Sequence, residues 1–199
     1  MPSPLSDVEL VARFKEGDRD AYGQIVQRYQ DRVFTMAFRW MGDRQIAEEV
    51  AQDVFLALFR SLGRFRGESL LSTWIYRVVA NHCKNRRMYQ YRRHHDKHDA
   101  LQGTSNTEDA PFRQLPDPGP GTDAPLQTAQ AGQQVQQALG KLDEEQRHII
   151  VLRDIQDLSY DEISEILDLP RGTVKSRLHR ARAKLARVLF RTLQRDDVL

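Results

Sequence analysis

A nucleic-acid backbone calls for cations with no competing carboxylates, and one stretch of this chain supplies them. Arg171, Lys175, Arg177, Arg180, Arg182, Lys184, Arg187 and Arg191 fall between Asp168 and Asp196, an interval with no acidic residue. Cations so placed neutralise phosphates and release their counterions, whereas a small-molecule pocket would gain little from them. Val174, Leu178, Ala181, Leu185 and Leu189 recur at helical spacing within the same stretch and form one apolar stripe. At roughly 100° per residue the opposite face carries Thr173, Ser176, His179, Arg180, Ala183 and Arg187, with Lys175, Arg177, Arg182 and Lys184 on the flanks. A small polar and cationic face between phosphate clamps suits a helix seated in the major groove. The candidate DNA contacts there are Arg171, Thr173, Lys175, Ser176, Arg177, His179, Arg180 and Lys184.

The residues just upstream are those needed to hold such a helix. Ser159 and Glu162 have the spacing of a capping box and precede Ile163, Ile166 and Leu167, with Tyr160 on the same face. Pro170 disfavours helical geometry at Leu169 and ends this first helix. Two helices, a tight turn and a cationic second helix read as a helix-turn-helix.

Farther upstream, residues 65–93 interleave Phe65, Trp74, Tyr76, Tyr89 and Tyr91 with Arg64, Arg66, Arg77, Lys84, Arg86 and Arg87. Rings that stack on unpaired bases and cations that follow a backbone are what single-strand binding requires. Trp74 shares a face with Ile75 and Val78, which favours a core position over a stacking platform. The helix over about 46–62 buries Ala47, Val50, Ala51, Val54 and Leu58. It turns Glu48, Glu49, Gln52, Leu56, Phe59 and Arg60 the other way, with Asp53 at the flank. Large apolar groups among carboxylates suggest a protein-binding surface, the alternative being that Leu56 and Phe59 pack on a neighbouring helix.

The remaining pattern predicts an all-α protein of two small domains. Ser6 and Glu9 form another capping box, with Gly17 as a stop. A long helix carrying Tyr22, Ile25, Val26, Tyr29, Val33, Phe34, Ala37 and Met41 ends at Gly42, the next ends at Gly63, and the last of the N-terminal unit begins near Ser72. This unit spans 1–95. Residues 96–132 hold Pro111, Pro116, Pro118, Pro120 and Pro125 and almost no large apolar residue, so they read as a flexible linker. Periodicity resumes at Val135, Ala138, Leu139 and Leu142. A helix begins near Asp143, with Gln146 at the capping-box position, inside a C-terminal domain of 133–199. No alternating strand pattern or hairpin signal occurs.

Net charge is only +2, so the basic character is local. A single cysteine, Cys83, excludes an internal disulfide and points to a reducing cytoplasm. No apolar run approaches the roughly 20 residues of a membrane span, and no signal-like segment opens the chain, so no membrane insertion is expected.

The order of the segments resembles the extracytoplasmic-function (ECF, group IV) sigma factors of bacterial RNA polymerase, in the sigma-70 family. AEEVAQDVFLALFRSLGRF (47–65) is similar to the family's core-polymerase-binding helix, and FRGESLLSTWIYRVVANHCKNRRM (65–88) to its promoter-melting and −10 region. LDEEQRHIIVLRDIQDLSYDEISEIL (142–167) and GTVKSRLHRARAKL (172–185) are similar to its −35-reading domain. The resemblance implies a four-helix sigma-2-like unit followed by a sigma-4-like helix-turn-helix. It further implies core contacts at Glu49, Gln52, Asp53, Leu56 and Phe59, and −10 contacts at Arg66, Arg77, Asn81, Lys84, Arg86 and Arg87, with loop 66–72 holding a flipped-out base. The implied partners are the clamp and flap of core RNA polymerase, promoter DNA and an anti-sigma factor. No cofactor and no enzymatic activity are implied. Leu70 and Leu71 stand where relatives are usually more polar or aromatic, and His179 stands where many relatives differ, so neither promoter sequence transfers.

Two other classes compete. A stand-alone helix-turn-helix repressor or activator would leave the aromatic and basic 65–93 stretch unexplained. A nucleic-acid enzyme would need a nucleophile or metal-binding carboxylates that no motif supplies. His94, His95 and His98 beside Asp96 and Asp99 lack a Cys pair or a fixed scaffold, so no metal site is expected. Cys83, next to His82, reads as a packing residue.

Overall fold

The computed structural model describes residues 5–99 and 126–196, and every regular element in them is helical. The N-terminal half contains α1 (Asp7–Lys15), α2 (Arg19–Met41), α3 (Arg44–Ser61), a 3-10 turn (Leu62–Arg64) and α4 (Leu71–Asp99). The C-terminal half contains α5 (Leu126–Gly140), α6 (Glu144–Ile150), a π-turn (Val151–Ile155), α7 (Tyr160–Leu167) and α8 (Arg171–Asp196).

The helix ends follow local chemistry. Ser6 and Ser159 each accept the N–H of the glutamate three residues on and donate their own N–H to its carboxylate, so both expected capping boxes form. Asp18 and Asp43 cap α2 and α3 by accepting backbone N–H bonds. Gly42 closes α2 in the left-handed region at φ 75°, where a Cβ would be strained. Asp168 takes the same conformation at the end of α7 (φ 53°), a place an aspartate tolerates better than most residues.

α3 ends next to Gly63 as expected, and the chain there tightens into a 3-10 turn whose end is bonded from Phe65 N–H to the Leu62 carbonyl. One local expectation is corrected. At α6, Asp143 accepts from the Gln146 N–H, but Gln146 Oε1 is buried without a hydrogen-bond partner among the described residues, so the reciprocal half of a capping box is missing. α4 runs to Asp99 and α5 starts at Leu126, so helix extends into both ends of the 96–132 segment. After Leu126, alanine and glutamine, good helix formers, sustain the first turns of α5. The expected linker between these helices lies outside the described residues.

α2 is the spine of the N-terminal half. Ile25, Val33, Met36 and Trp40 are each at most 1% exposed and meet Leu10 of α1, Val54 and Leu58 of α3, and Ile75 and Val79 of α4. In the C-terminal half, Leu139, Ile149, Ile150, Leu152, Ile163, Val174 and Leu178 form the corresponding core. Fully burying each such side chain favours the fold by about 1.5–3 kcal/mol.

The two halves are packed on each other. Arg147, 3% exposed, donates to the carbonyls of Leu139 (2.9 Å), Leu142 (3.0 Å) and Gly140 (3.5 Å) at the end of α5 and to that of Trp40 (3.1 Å) at the end of α2. The imidazole of His148 stacks on Trp40 with ring centroids 3.6 Å apart. Gln136, itself buried, accepts from Arg39 at 2.8 Å and donates to the Phe38 carbonyl at 3.3 Å. α7 lies on the first turns of α4, where Thr73 Oγ1 donates to Glu162 (3.1 Å) and Arg77 pairs with Glu165 (2.5 Å).

Arg147→Ala would leave those buried carbonyls without their donor. The expected loss is about 2–4 kcal/mol in urea unfolding followed by helical circular dichroism. Arg147→Lys should recover only part of it, since an ammonium lacks the planar fork. A loss under about 1 kcal/mol would show that the carbonyls find other donors.

Candidate nucleic-acid and polymerase interfaces

α8 presents its stripes as its spacing predicts. Val174, Leu178 and Ala181 are at most 1% exposed, and Leu185 packs against the core edge. Lys175, Ser176, His179, Arg180 and Arg187 face solvent, Arg171 is exposed beside Asp161 (3.3 Å), and Thr173 is half-buried. The Ser176 hydroxyl donates to the Thr173 carbonyl at 3.1 Å, and Arg180 Nε reaches back to the Ser176 carbonyl at 3.4 Å, which sets the guanidinium along the helix. Gly172, Lys175, Ser176, His179 and Arg180 line a shallow concavity.

The flanking cations differ from this open face. Arg177 pairs with Glu145 at 2.6 Å, Arg182 makes a two-pronged contact with Asp154, and Lys184 approaches Asp143 at 3.4 Å. These contacts tie α8 to α6 and to the π-turn, so the flanks contribute to the domain's own electrostatics. Among the candidates, Lys175, His179 and Arg180 have no ion-pair partner among the described residues.

The position of α8 depends on an irregularity that spacing did not reveal. After α6 the helix widens into a π-turn, closed by Gln156 N–H to the Val151 carbonyl (2.9 Å), and Asp157 turns left-handed at φ 54°. The extra residue redirects the chain so that Ser159 can start α7 across α8. Burial raises the Glu162 carboxyl, but hydrogen bonds from the Ser159 backbone and hydroxyl and from Thr73 outweigh it and leave its pKa lowered.

In the N-terminal half, Asn81 and Lys84 are exposed on α4, in line with Met88 and Tyr91. Arg66 is exposed in the loop after the 3-10 turn, 3.8 Å from Glu68, and Gly67 takes φ 75°. Arg77, Arg86 and Arg87 are engaged internally, by Glu165, by Glu49 and by Glu144 (3.6 Å) respectively. The two leucines of the loop separate: Leu71 is 4% exposed and belongs to the core, while Leu70 is 65% exposed. Trp74 is half-buried against Phe65, their centroids 5.1 Å apart, consistent with a packing role.

On α3, Gln52 and Asp53 are exposed, Glu49 is half-exposed and Leu56 is 55% exposed. Phe59 divides its ring between two environments. One edge packs on Phe14 and Tyr22, at centroid distances of 5.6 and 5.1 Å, yet 39% of the residue is open to solvent. Tyr22 donates to the Phe55 carbonyl at 2.5 Å, and burial pushes its phenol up to about 12, so this aromatic corner stays neutral.

Cys83 is 1% exposed, and burial pushes its thiol up to about 12, which leaves little thiolate at neutral pH. The side chains of His94, His95 and His98 lie outside the described residues. No cluster able to hold a metal occurs among the described ones.

An all-α chain with an open cationic reading helix at one end and an aromatic–basic helix in its middle is a DNA-binding helix-turn-helix protein with two potential reading surfaces. The Sigma-70 region 2 family matches residues 25–101, and the Sigma-70, region 4 family matches residues 132–185. The chain is 32% identical over 184 residues to the RNA polymerase sigma-H factor of Pseudomonas aeruginosa, covering 92% of this chain and 93% of that protein. It is 33% identical over 183 residues to the ECF RNA polymerase sigma-E factor of Escherichia coli, again covering 92% and 93%. Among solved structures it is similar to CnrH in complex with the cytosolic domain of CnrY (TM-score 0.63, 26% identity, 92% of this chain and 96% of that one). RpoE of Bartonella quintana, solved with the anti-sigma factor NepR, shares the fold (TM-score 0.64, 23% identity, 84% and 96%). The chain belongs to the sigma-70 family and is an RNA polymerase sigma factor of the ECF type. No helix among the described residues is long and apolar enough to cross a membrane.

Exposure of Leu56 and Gln52 sets a test of the α3 face. The double variant Leu56→Ala, Gln52→Ala should change unfolding free energy by no more than about 0.5 kcal/mol. A pull-down should show its binding to core RNA polymerase reduced several-fold. A large fall in melting temperature would place Leu56 in the core instead.

Proposed function

We propose that the two halves divide the work of promoter recognition between them. Residues 1–95 bind core polymerase through Glu49, Gln52, Asp53, Leu56 and Phe59. Arg66, Arg77, Asn81, Lys84, Arg86 and Arg87 hold the opened −10 strand, and residues 133–199 read the −35 element through α8. The observation that carries this reading is the open face of α8, where Lys175, Ser176, His179 and Arg180 stand out from the domain while the cations beside them are occupied by its own acids. Side chains free to leave the surface can enter a groove, and paired ones first have to give up a carboxylate.

Arg180 contacts base edges in this reading, with Thr173, Ser176 and His179 beside it. Arg171, Lys175, Arg177 and Lys184 surround them as phosphate contacts. Extruding a base costs a few kcal/mol, so the free protein binds promoter duplex weakly, and polymerase makes the second contact effectively intramolecular. The chain works in the cytoplasm without catalytic chemistry of its own, in a stress or envelope response, under the control of an anti-sigma factor. Support for such a partner comes from CnrH, which was captured with the cytosolic domain of another protein.

Two measurements test the division. Run-off transcription on candidate promoters should require both this protein and core polymerase. Tight, specific binding by the free protein at physiological salt would instead mark a stand-alone regulator. Arg180→Ala should cost about 1–3 kcal/mol on the preferred −35 duplex and little on a scrambled one. Lys184→Ala should weaken both duplexes alike and lower the salt slope by about one. Equal losses on both duplexes for Arg180→Ala would make Arg180 a phosphate contact.

A further inference from the structure

The packing of the two halves conflicts with the work proposed for them. Elements named for positions about 10 and 35 upstream lie roughly 25 base pairs apart, ~85 Å along B-DNA at ~3.4 Å per base pair. In this structure α7 of the helix-turn-helix is hydrogen-bonded to the first turns of α4 through Thr73–Glu162 and Arg77–Glu165. One molecule cannot read both elements in that arrangement, and Arg77 and Arg87, both candidate −10 contacts, are held by Glu165 and Glu144 of the other half. The C-terminal carboxylates thus stand where phosphates would be needed.

We propose that this closed arrangement is a self-occluded state latched by the stack of His148 on Trp40, and that protonation of His148 releases it. The latch joins an uncharged indole from α2 to an imidazole from α6, with the His148 side chain 13% exposed. The groups facing it are few. α2 presents the Trp40 ring, α4 presents Arg87 with the neutral Cys83 thiol behind it, and α6 itself presents Arg147 and Glu144. Glu144 lies 3.7 Å from Nε2 and would favour the imidazolium, but the same carboxylate is shared with Arg87 at 3.6 Å. Burial, then Arg147 and Arg87, hold the imidazole well below its ordinary 6.5.

The sign follows from that direction. Opening removes the burial and the Arg87 charge that depress the imidazole, so its pKa rises toward 6.5; His148 favours closure fully above about 6.5, and that contribution is lost as the pH falls below it. Around the latch, Trp40 Nε1 and Arg87 Nη1 are buried without hydrogen-bond partners among the described residues, so opening costs no hydrogen bond at either atom.

Single-molecule energy transfer on the full chain, labelled at the exposed positions Val8→Cys and Gln137→Cys, measures the open-to-closed ratio without polymerase or DNA. Between pH 7.5 and 5.5 the ratio should rise severalfold, up to the limit of about tenfold set by a group that reaches pKa 6.5 when open and stays neutral while closed. His148→Phe, which keeps a ring on Trp40 but has no proton site, should change less than twofold over the same range. Should that variant lose helical circular dichroism, His148→Gln takes its place. Nuclear magnetic resonance of the wild-type imidazole must then show proton uptake in step with opening. An unchanged ratio in the wild type, equal opening in the His148 variant, or proton uptake out of step with opening would each overturn the latch. None of these outcomes bears on promoter reading. That assignment, on which only the latch's biological consequence rests, fails separately in the transcription assay.

Discussion

The guanidinium of Arg147 holds together the parts that everything else in this structure depends on. A buried cation costs several kcal/mol unless its donors are satisfied. Arg147 satisfies them with carbonyls at two helix ends, those of α5 and α2, where the helix dipoles and unpaired acceptors favour positive charge. One side chain therefore closes the turn between α5 and α6 and joins the C-terminal half to the N-terminal spine. In this closed packing His148, the next residue, lies on Trp40. The angle at which α6 leaves this junction, corrected by the π-turn, decides where α7 and α8 point.

Charge is distributed with the same economy. The protein is nearly neutral overall, yet its cations fall into two groups with different surroundings. On α8 the outward face is left open while the flanks are neutralised by Glu145, Asp154 and Asp143. On α4, Asn81 and Lys84 are open while Arg77, Arg86 and Arg87 are occupied by acids from other helices. Exposed ion pairs of this kind are individually weak and exchange readily for phosphate, so they tune binding without forbidding it. The Arg86–Glu49 pair also links the candidate −10 surface to the candidate polymerase surface on α3, so engaging one side alters the charge presented on the other.

The helices are legible in the sequence because their ends are written in local chemistry. Ser6 with Glu9, Ser159 with Glu162, and Gly42 each satisfy or terminate a helix through contacts within a few residues. The same locality made the α8 stripes legible, since a periodicity of 3.6 needs no knowledge of the partner. Where the outcome depended on what lay across the interface, the reading was incomplete. Leu70 and Leu71 look alike in sequence and differ from 65% to 4% in exposure. Gln146 has capping-box spacing but leaves its carbonyl oxygen unpaired.

An all-α chain, the helix-turn-helix, the cationic face of α8 and the sigma-factor kinship follow from residue order alone, because each rests on spacing within a single helix or on contiguous motifs. The burial of Arg147, the contact of His148 with Trp40, and the cover that Glu162 and Glu165 give the start of α4 arise from packing between distant helices. These pairs join residues about 90 to 110 positions apart, beyond the reach of any local periodicity. A solvent-exposed arginine and a buried one have the same sequence signature. What separates them is whether enough carbonyl oxygens converge on the guanidinium to replace the water it loses, and that convergence exists only once the helices have packed.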